Sequence, residues 1–232
     1  MLEINKAFCL CLDKRQGEWL DLEKQCLSKG IPFEKFIVGD GLMFQPCQYD
    51  RIDETEFDFD SWEYGNDTTK LRHYNAFKSH QEIVKKAKSE DLDRILILED
   101  DAYFTERFDD VIAKLSSQIE KMDFDMLFLG WWVGEEDDAW NEVVETLYDQ
   151  NGSVGIGKVS EAHFTCGGLH GVIINSTVFD AIIEMQPINP IDTQLNRDFH
   201  EEIKSYYIMP KIIHDKGIFS NCEQNTISRK KL

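Results

Sequence analysis

The sequence lacks the cysteine pairs, the long apolar runs and the basic surplus that would each assign it to a particular class of protein. Its six cysteines include no Cys-x-x-Cys pair, so zinc is poorly supported and reduced thiols are expected. No apolar run approaches the ~20 residues that span a bilayer. The apolar stretch at residues 7–12 is short and follows the acidic Glu3, so we expect no signal peptide and a cytoplasmic protein.

Basic residues are scarce relative to acidic ones. The chain has 25 Lys and Arg against 44 Asp and Glu, which gives a formal net charge of −19. Such a charge repels a phosphate backbone, so binding to nucleic acid is not expected. A small phosphorylated ligand remains compatible with this charge, because an acidic site can bind a divalent cation that in turn binds phosphates.

The first forty residues carry the pattern of a parallel sheet. A strand is predicted at 7–12, a helix at about 16–29 with Gly30 as its stop, and a second strand at 33–38. This strand–helix–strand order predicts an α/β domain with a mixed, mainly parallel central sheet flanked by helices.

The rest of the chain continues the same pattern within a single predicted domain of residues 1–232. Residues 44–70 are acidic and aromatic and are predicted to form an insertion or lid, and residues 223–232 a frayed tail. Further helices are predicted at about 71–88, 108–122, 177–185 and 192–204, and strands at 94–98, 126–129, 169–174 and 206–209.

Three consecutive carboxylates follow the most apolar of these strands. Glu99, Asp100 and Asp101 come directly after residues 94–98, at the carboxyl end of a strand where α/β sheets bind ligands. On an extended backbone Glu99 and Asp101 point to one side and Asp100 to the other. Their mutual repulsion favours a hard cation such as Mn²⁺ or Mg²⁺. The alternative is a charged strand end solvated by water.

Two other motifs are weaker. The same tetrapeptide recurs at residues 136–139, but no apolar strand precedes it, so a solvated loop is expected. Residues 152–158 match most of a phosphate-binding loop, yet Val159 replaces the required Ser or Thr and no buried strand leads into it. This segment is therefore predicted to be a flexible turn.

Aromatic and histidine side chains supply further candidates. Trp131 and Trp132 are adjacent at a strand end, where they would point in opposite directions, so one could stack on a sugar ring while the other joins the core. His80, in the helix before the acidic strand, is either a ligand-binding residue or only a capping or packing residue. His214, after the last predicted strand, either completes a metal's coordination sphere or lies in a surface loop.

Taken in order, these features resemble family-25 glycosyltransferases, the lipopolysaccharide and procollagen galactosyltransferases. The resemblance covers roughly residues 4–221. Its motifs are the opening strand and helix, Gly39-Asp40-Gly41, Ser79-His80, Ile97-Leu98-Glu99-Asp100-Asp101-Ala102, Phe128-Leu129-Gly130, His170, Asp192, and Tyr206 with Pro210. Departures are Asn75-Ala76 in place of Gly-Cys, Gly171 where Ala is common, and Ser220-Asn221 where Ser-Asp is common.

The resemblance implies a GT-A-like fold, a UDP-sugar donor, a divalent metal and inversion at the anomeric carbon. In this interpretation Asp101 and His214 bind the metal, and Asp192 is the catalytic base unless it is only a helix cap. Donor contacts fall to Asp40, Ser79, His80, Glu99 and Asp100, and acceptor contacts to Trp131, Trp132 and His170. The predicted reaction moves galactose or glucose to a hydroxyl of a glycan, lipopolysaccharide or hydroxylated protein.

Two rival functions remain at this point. A sugar- or nucleotide-binding protein could have kept the fold and lost catalysis, since a fold alone does not prove activity. A sugar nucleotidyltransferase also uses an acidic metal site, but its first strand would run into a glycine-rich basic loop. Here that position is Asp13-Lys14-Arg15-Gln16-Gly17, which has little glycine.

Overall fold

The computed structural model describes residues 3–12, 17–38, 67–133, 154–159, 166–198 and 202–216. Fourteen strands and helices, together with one 3-10 turn at Ser176–Val178, lie in these ranges. The strands are β1 (Lys6–Leu12), β2 (Phe33–Val38), β3 (Arg94–Glu99), β4 (Ala102–Phe104), β5 (Met126–Val133), β6 (Gly155–Lys158), β7 (Cys166–Asn175), β8 (Ser205–Met209) and β9 (Ile213–Asp215). The helices are α1 (Glu18–Ser28), α2 (Asp67–Ser89), α3 (Phe108–Ile119), α4 (Phe179–Glu184) and α5 (Ile191–Asp198).

Seven strands form one sheet in the order β2-β1-β3-β7-β5-β8-β6, and β4 pairs with β9 in a second, two-stranded sheet. Strands β2, β1, β3, β5 and β8 share one direction, whereas β7 and β6 are antiparallel to their neighbours. This confirms the predicted α/β fold with a mixed, mainly parallel sheet. The chain moves outward from β1 to β2 and then returns to β3 on the other side of β1. The carboxyl ends of β1 and β3 therefore form a switch point, where open α/β sheets bind ligands.

Each face of the sheet has its own hydrophobic core, because side chains alternate along a strand. Phe8, Ile95 and Ile97 point to one face, with residues of α2, α4 and α5. Cys9 and Leu98 point to the other, with residues of α1 and α3. The alternation along β3 therefore decides which of the two cores each side chain at the end of this strand faces.

Helix α1 ends, and helix α3 packs, as their sequences predict. Gly30 follows α1 with φ +70°, and its N–H bonds to Leu27 O while Ile31 N bonds to Cys26 O, which is a Schellman stop. In α3 the buried residues recur at helical spacing, as Phe108, Val111, Leu115 and Ile119. Within the described ranges, no helix is both long enough and apolar enough to cross a membrane.

Several predicted boundaries need correction. Helix α2 begins at Asp67, four residues inside the predicted insertion of 44–70, while residues 44–66 lie outside the described ranges, as does the predicted tail at 223–232. The predicted helix 192–204 ends at Asp198, and Ser205 already begins β8. Short strands β4, β6 and β9 carry too few residues for a period-2 pattern and were not predicted.

Strand β6 replaces the predicted flexible turn. Gly155–Lys158 pairs antiparallel with β8, so the segment resembling a phosphate-binding loop is a sheet edge. A Cβ added at Gly157 would overlap the ring of Tyr207, its partner in the β6–β8 register, so the absence of a side chain at Gly157 leaves space for that ring. This glycine therefore has a packing role.

Strand β9 crosses very close to the main sheet over two paired glycines. A Cβ at Gly130 would lie 2.6 Å from Ile213 O, and one at Gly171 would lie 2.8 Å from Ile213 Cγ2. Gly130 and Gly171 are partners in the β5–β7 register. Any side chain at these two positions would push β9 away from the sheet.

Gly130→Ala is expected to lower the free energy of unfolding by about 1–3 kcal/mol, because the new methyl group meets the backbone of β9 and the ring of His170. Urea denaturation measures this loss. Gly155→Ala is the matched control, since a methyl group at Gly155 would meet no atom within 4 Å, and a change within about 0.5 kcal/mol is expected. Equal effects of the two substitutions would contradict the close approach.

Candidate active site

The acidic triplet lies at the switch point of the sheet. Glu99 is the last residue of β3, and Asp100 and Asp101 form the turn that leads into β4. The register of β1 and β3 pairs Leu10 with Glu99, so the carboxylates stand where the carboxyl ends of these two strands meet. The strand predicted from the apolar run at 94–98 thus brings the acids to a ligand-binding edge.

Glu99 and Asp100 belong to opposite faces, as their alternation predicts. Glu99 continues the row of Ile95 and Ile97 toward the α2 face and is half-buried. Asp100 is only 5% exposed and lies on the α1 face. The pKa of Cys9 is raised well above its ordinary value by its hydrogen bond with Cys11, by burial and by nearby charges that include Asp100. Asp100 is therefore a buried acidic residue near the protonated thiol of Cys9.

The buried cysteines of the described strands and helices are core residues. Cys9, Cys11 and Cys26 are free thiols, as predicted. Cys11 Sγ donates to Cys9 Sγ at 3.3 Å, and burial raises the pKa of Cys26 to about 12. Cys9 and Cys26 therefore remain protonated at neutral pH, and all three buried side chains act as small apolar groups.

Strand β9 joins the end of the acidic triplet. Lys216 N donates to Asp101 O at 2.9 Å, directly after β9 ends at Asp215. His214 pairs with Tyr103 in the β4–β9 register, and their ring centroids are 5.8 Å apart. His214 therefore lies on a strand beside the acidic turn, which corrects the surface-loop alternative.

No ready-made metal cluster is present in the described part of the chain. There, no group of three or more His, Cys, Asp or Glu side chains is arranged to hold an ion. Asp101 is half-buried, with its backbone attached to Lys216. The protein groups near the turn would thus provide part of a coordination sphere, and a ligand's own oxygens would have to provide the rest.

Trp131 is a core residue. It is 1% exposed, its Nε1 donates to Ile208 O at 3.1 Å, and its ring packs edge-on against Tyr207. Lys211 Nζ lies 5.1 Å from the ring centroid. This burial contradicts the predicted stacking of Trp131 on a sugar. The side chain of Trp132 lies outside the described part, and its acceptor role stays a prediction.

His170 is buried as well. It is 3% exposed and packs against the backbone of Gly130, whose Cβ would lie 2.6 Å from His170 Cδ2. The ring of His170 is thus enclosed by its neighbours in this structure, and its contact with an acceptor stays a prediction. The residue supports the crossing of β9 over the sheet.

Ser79 and His80 face the interior from α2. Ser79 Oγ donates to Asn75 O at 2.6 Å, and His80 Nδ1 donates to Ala76 O at 2.8 Å. Both residues are 4% exposed. Burial lowers the pKa of His80, while its bond to Ala76 and the charge of Asp192 act in the opposite direction, so the ring is neutral with its proton on Nδ1. Asp40, the other predicted donor contact, lies outside the described residues.

Asp192 reaches the same edge through a bulge in β7. Its Oδ2 accepts from Gly168 N at 3.1 Å and its Oδ1 from Thr193 N at 2.8 Å. The β5–β7 register shifts on both sides of Gly130, and Gly168, with φ +80°, lies in the second irregular stretch, opposite Trp131. Bulges of this kind redirect backbone groups near active sites.

The predicted helix-cap role of Asp192 needs a correction of position. Helix α5 begins at Ile191, and Gln194 N bonds to Pro190 O, so Asp192 is inside the first turn. Its carboxylate accepts the N–H of a different strand in addition to that of Thr193. Asp192 thus couples α5 to β7, beyond the end of β3.

Two buried glutamines, one bonded to the end of α4 and one belonging to α5, hold this part of the chain, and neither was predicted. Gln81 Nε2 donates to three carbonyls at the end of α4, those of Ile182, Ile183 and Met185, at 2.9–3.0 Å. Gln194 Nε2 donates to Gln186 O at 2.7 Å, and its Oε1 accepts from Ile188 N at 3.2 Å. The sequence signal was a polar residue at an apolar position of a helix, which is uninformative without the tertiary partner.

More than half of the chain matches a known protein family. Residues 13–153 match glycosyltransferase family 25 (LPS biosynthesis protein). This chain belongs to that family. The match confirms the sequence resemblance, and the sheet fits the GT-A-like domain that the resemblance implied. The matched range includes the acidic triplet, whereas His170, Asp192 and His214 lie beyond that range. The chain is thereby placed among the glycosyltransferases.

Two solved structures are similar to this chain. One is the crystal structure of a glycosyltransferase involved in the glycosylation of the major capsid of PBCV-1, with 10% identity, a TM-score of 0.48, and coverage of 96% of this chain and 97% of that one. The other is the A197 protein from STIV, with 15% identity, a TM-score of 0.40, and coverage of 88% and 81%. At these scores neither carries an argument about function. A comparison with curated protein sequences gives no match.

Gln194→Leu is expected to lower the free energy of unfolding by about 1–3 kcal/mol. The substitution removes the hydrogen-bond donor to the carbonyl of Gln186 and the acceptor for the N–H groups of Ile188 and Asn189. Urea denaturation provides the measurement. Gln118→Leu makes the same change at an exposed position of α3 and should have little effect. A loss at Gln118 as large as that at Gln194 would show that the hydrogen bonds around α5 contribute nothing.

Proposed function

We propose that this protein transfers galactose or glucose from a UDP-sugar to a hydroxyl group of a glycan, lipopolysaccharide or hydroxylated protein, with inversion and with help from Mn²⁺ or Mg²⁺. The observation that carries the proposal is the acidic triplet at the switch point, in a member of family 25. The net charge supports the proposal too. A protein of net charge −19 needs a cation, or a local group of positively charged side chains, to bind a diphosphate.

The residues at the triplet fit a hard divalent cation. Asp101 is half-buried beside Lys216, and carboxylate oxygens are preferred ligands of Mn²⁺ and Mg²⁺. In the proposal Asp101 binds the ion, Glu99 and Asp100 orient that site or contact the ribose, and His214 completes it. A bound ion would supply positive charge for the departing diphosphate.

Asp192 is the proposed general base. The acceptor hydroxyl oxygen attacks the anomeric carbon, the bond from that carbon to the phosphate oxygen breaks, and UDP leaves with the bonding electrons. The hydroxyl proton passes to the carboxylate of Asp192. The bond from Gly168 N to Oδ2 supports this role, because it fixes the carboxylate beyond the end of β3 while leaving lone pairs for a proton.

UDP is expected to raise the melting temperature of the protein in Mn²⁺ and to have little effect in excess chelator, because ligand binding stabilises the native state by mass action. Asp101→Asn should remove the shift. Asp138→Asn, in the second copy of the tetrapeptide and outside the described residues, should keep it. Equal stabilisation by UDP in chelator would refute the metal-dependent donor site.

Asp192→Asn is expected to slow turnover of UDP-galactose or UDP-glucose on the order of 100-fold or more, because an amide cannot take up a proton at neutral pH. The amide oxygen can still accept from Gly168 N, so folding and UDP binding should persist. Turnover is measured as released UDP, and binding by calorimetry. Normal turnover would limit Asp192 to a structural role and direct attention to Asp198 or Glu201.

A further inference from the structure

Helix α2 carries buried polar atoms that have no hydrogen-bond partner among the described residues. They are Nε and Nη1 of Arg72, Oδ1 of Asn75 and Nε2 of His80. An orphaned buried donor or acceptor costs about 1–3 kcal/mol, and a charged one costs more. Arg72 is half-buried, and in a chain with 44 acidic residues a guanidinium whose enclosed Nε and Nη1 have no hydrogen-bond partner in the described part is unexpected. The three residues form a set that the core does not explain.

The set lies on one side of α2. At about 100° per residue, Asn75 lies about 60° to one side of Arg72 and His80 about 80° to the other, so the three side chains span an arc of about 140°. His80 is 4% exposed, and its Nδ1 bond to Ala76 O leaves a lone pair on Nε2. The face therefore offers a cationic fork at Arg72 and hydrogen-bond acceptors at Asn75 and His80.

This face stands at the height of the acidic edge. Helix α2 runs back to the start of β3, since Ser89 and Arg94 are joined by a short turn. The six residues of β3 span about 20 Å, a length that α2 covers in about 13 residues. Counted from Ser89, the helix passes the end of β3 near Ala76. His80 then lies just below that edge, within reach of the charge of Asp192, and Arg72 stands about 5 Å above it.

We propose that Arg72, Asn75 and His80 form a binding face for a phosphorylated sugar, with Arg72 on the phosphates and the two acceptors on sugar hydroxyls. The chemistry of each group decides its partner. Two adjacent guanidinium N–H groups match two oxygens of a phosphate, whereas a lone pair on Nε2 or Oδ1 requires an O–H or N–H donor. The positive end of the α2 dipole points in the same direction and favours an anion there.

This inference rests on the proposed function for the identity of the sugar nucleotide, and it adds Arg72 and Asn75 to the site. It also explains how an acidic protein can hold two phosphates without relying on a cation alone. Arg72 would offset the negative charge of the diphosphate from the side of α2, and the acidic triplet would hold the cation at the end of β3.

The test uses Arg72→Gln with three probes in Mn²⁺: UDP, uridine and inorganic pyrophosphate. Affinity for UDP and pyrophosphate should fall about 10- to 100-fold, as expected for loss of a charge-assisted pair, and affinity for uridine should not change. Arg107→Gln, at the start of α3 on the opposite face, is the matched control and should leave all three unchanged. An equal fall for uridine, or an equal effect of the control, would overturn the assignment.

Two further measurements separate this inference from the proposed function. Without ligand, Arg72→Gln should keep or raise the melting temperature, because it removes a partly buried charge whose Nε and Nη1 have no partner in the described part; a purely structural arginine would lower it. Asn75→Leu should weaken UDP-galactose or UDP-glucose about 10-fold while leaving UDP unchanged, and equal affinity loss for UDP would refute the hydroxyl contact. If the protein bound pyrophosphate through Arg72 but did not bind UDP, the proposed UDP-sugar donor would be wrong, whereas the phosphate-binding role of Arg72 would stand.

Discussion

The close approach of β9 to the main sheet is the constraint on which the site depends. Ile213 can lie against Gly130 and Gly171 because neither glycine has a side chain. From that contact β9 continues to Lys216, whose N–H fixes the carbonyl of Asp101. The buried ring of His170 fills the remaining space beside Gly130. A late segment of the chain thus sets the position of an acidic turn more than a hundred residues earlier.

The sheet also separates carboxylates that are adjacent in sequence. Asp100 is desolvated beside the thiols of the α1 face, whereas Glu99 belongs to the face of α2 and α5. Burial raises the free energy of an anion, so these two residues face different electrostatic environments despite their shared motif. Three consecutive acidic residues therefore do not form a single site. The environment of each one depends on the face of the sheet on which it lies.

The long elements could be predicted from the sequence, because each has a clear period. The apolar run at 94–98 and the stripe of α3 fix their own structure, and Gly30 ends α1 as predicted. Strands β4, β6 and β9 were missed because three or four residues carry no period. Their formation depends on partners that are distant in sequence.

The candidate site was only partly predictable, for a related reason. The acidic triplet follows a recognisable strand, so its location could be predicted directly. The burial of Trp131 and His170 depends on what crosses over them, and the role of Gln194 depends on three backbone groups of a loop. Arg72 looks like any surface arginine of a helix until it is known that its Nε and Nη1 are enclosed without a partner in the described part of the chain. These properties belong to tertiary contacts and have no local signature.

Amide hydrogens along β7 should exchange with solvent by two different routes. Gly168 N is bonded to a carboxylate of α5 instead of a carbonyl of the neighbouring strand. The amide hydrogens of Val172 and Ile173, inside the paired part of the same strand, are released when the sheet opens. The hydrogen of Gly168 is released when its contact with the Asp192 side chain opens. Exchange in the paired part of this strand therefore reports the stability of the sheet, and exchange at Gly168 reports the stability of the contact between β7 and α5.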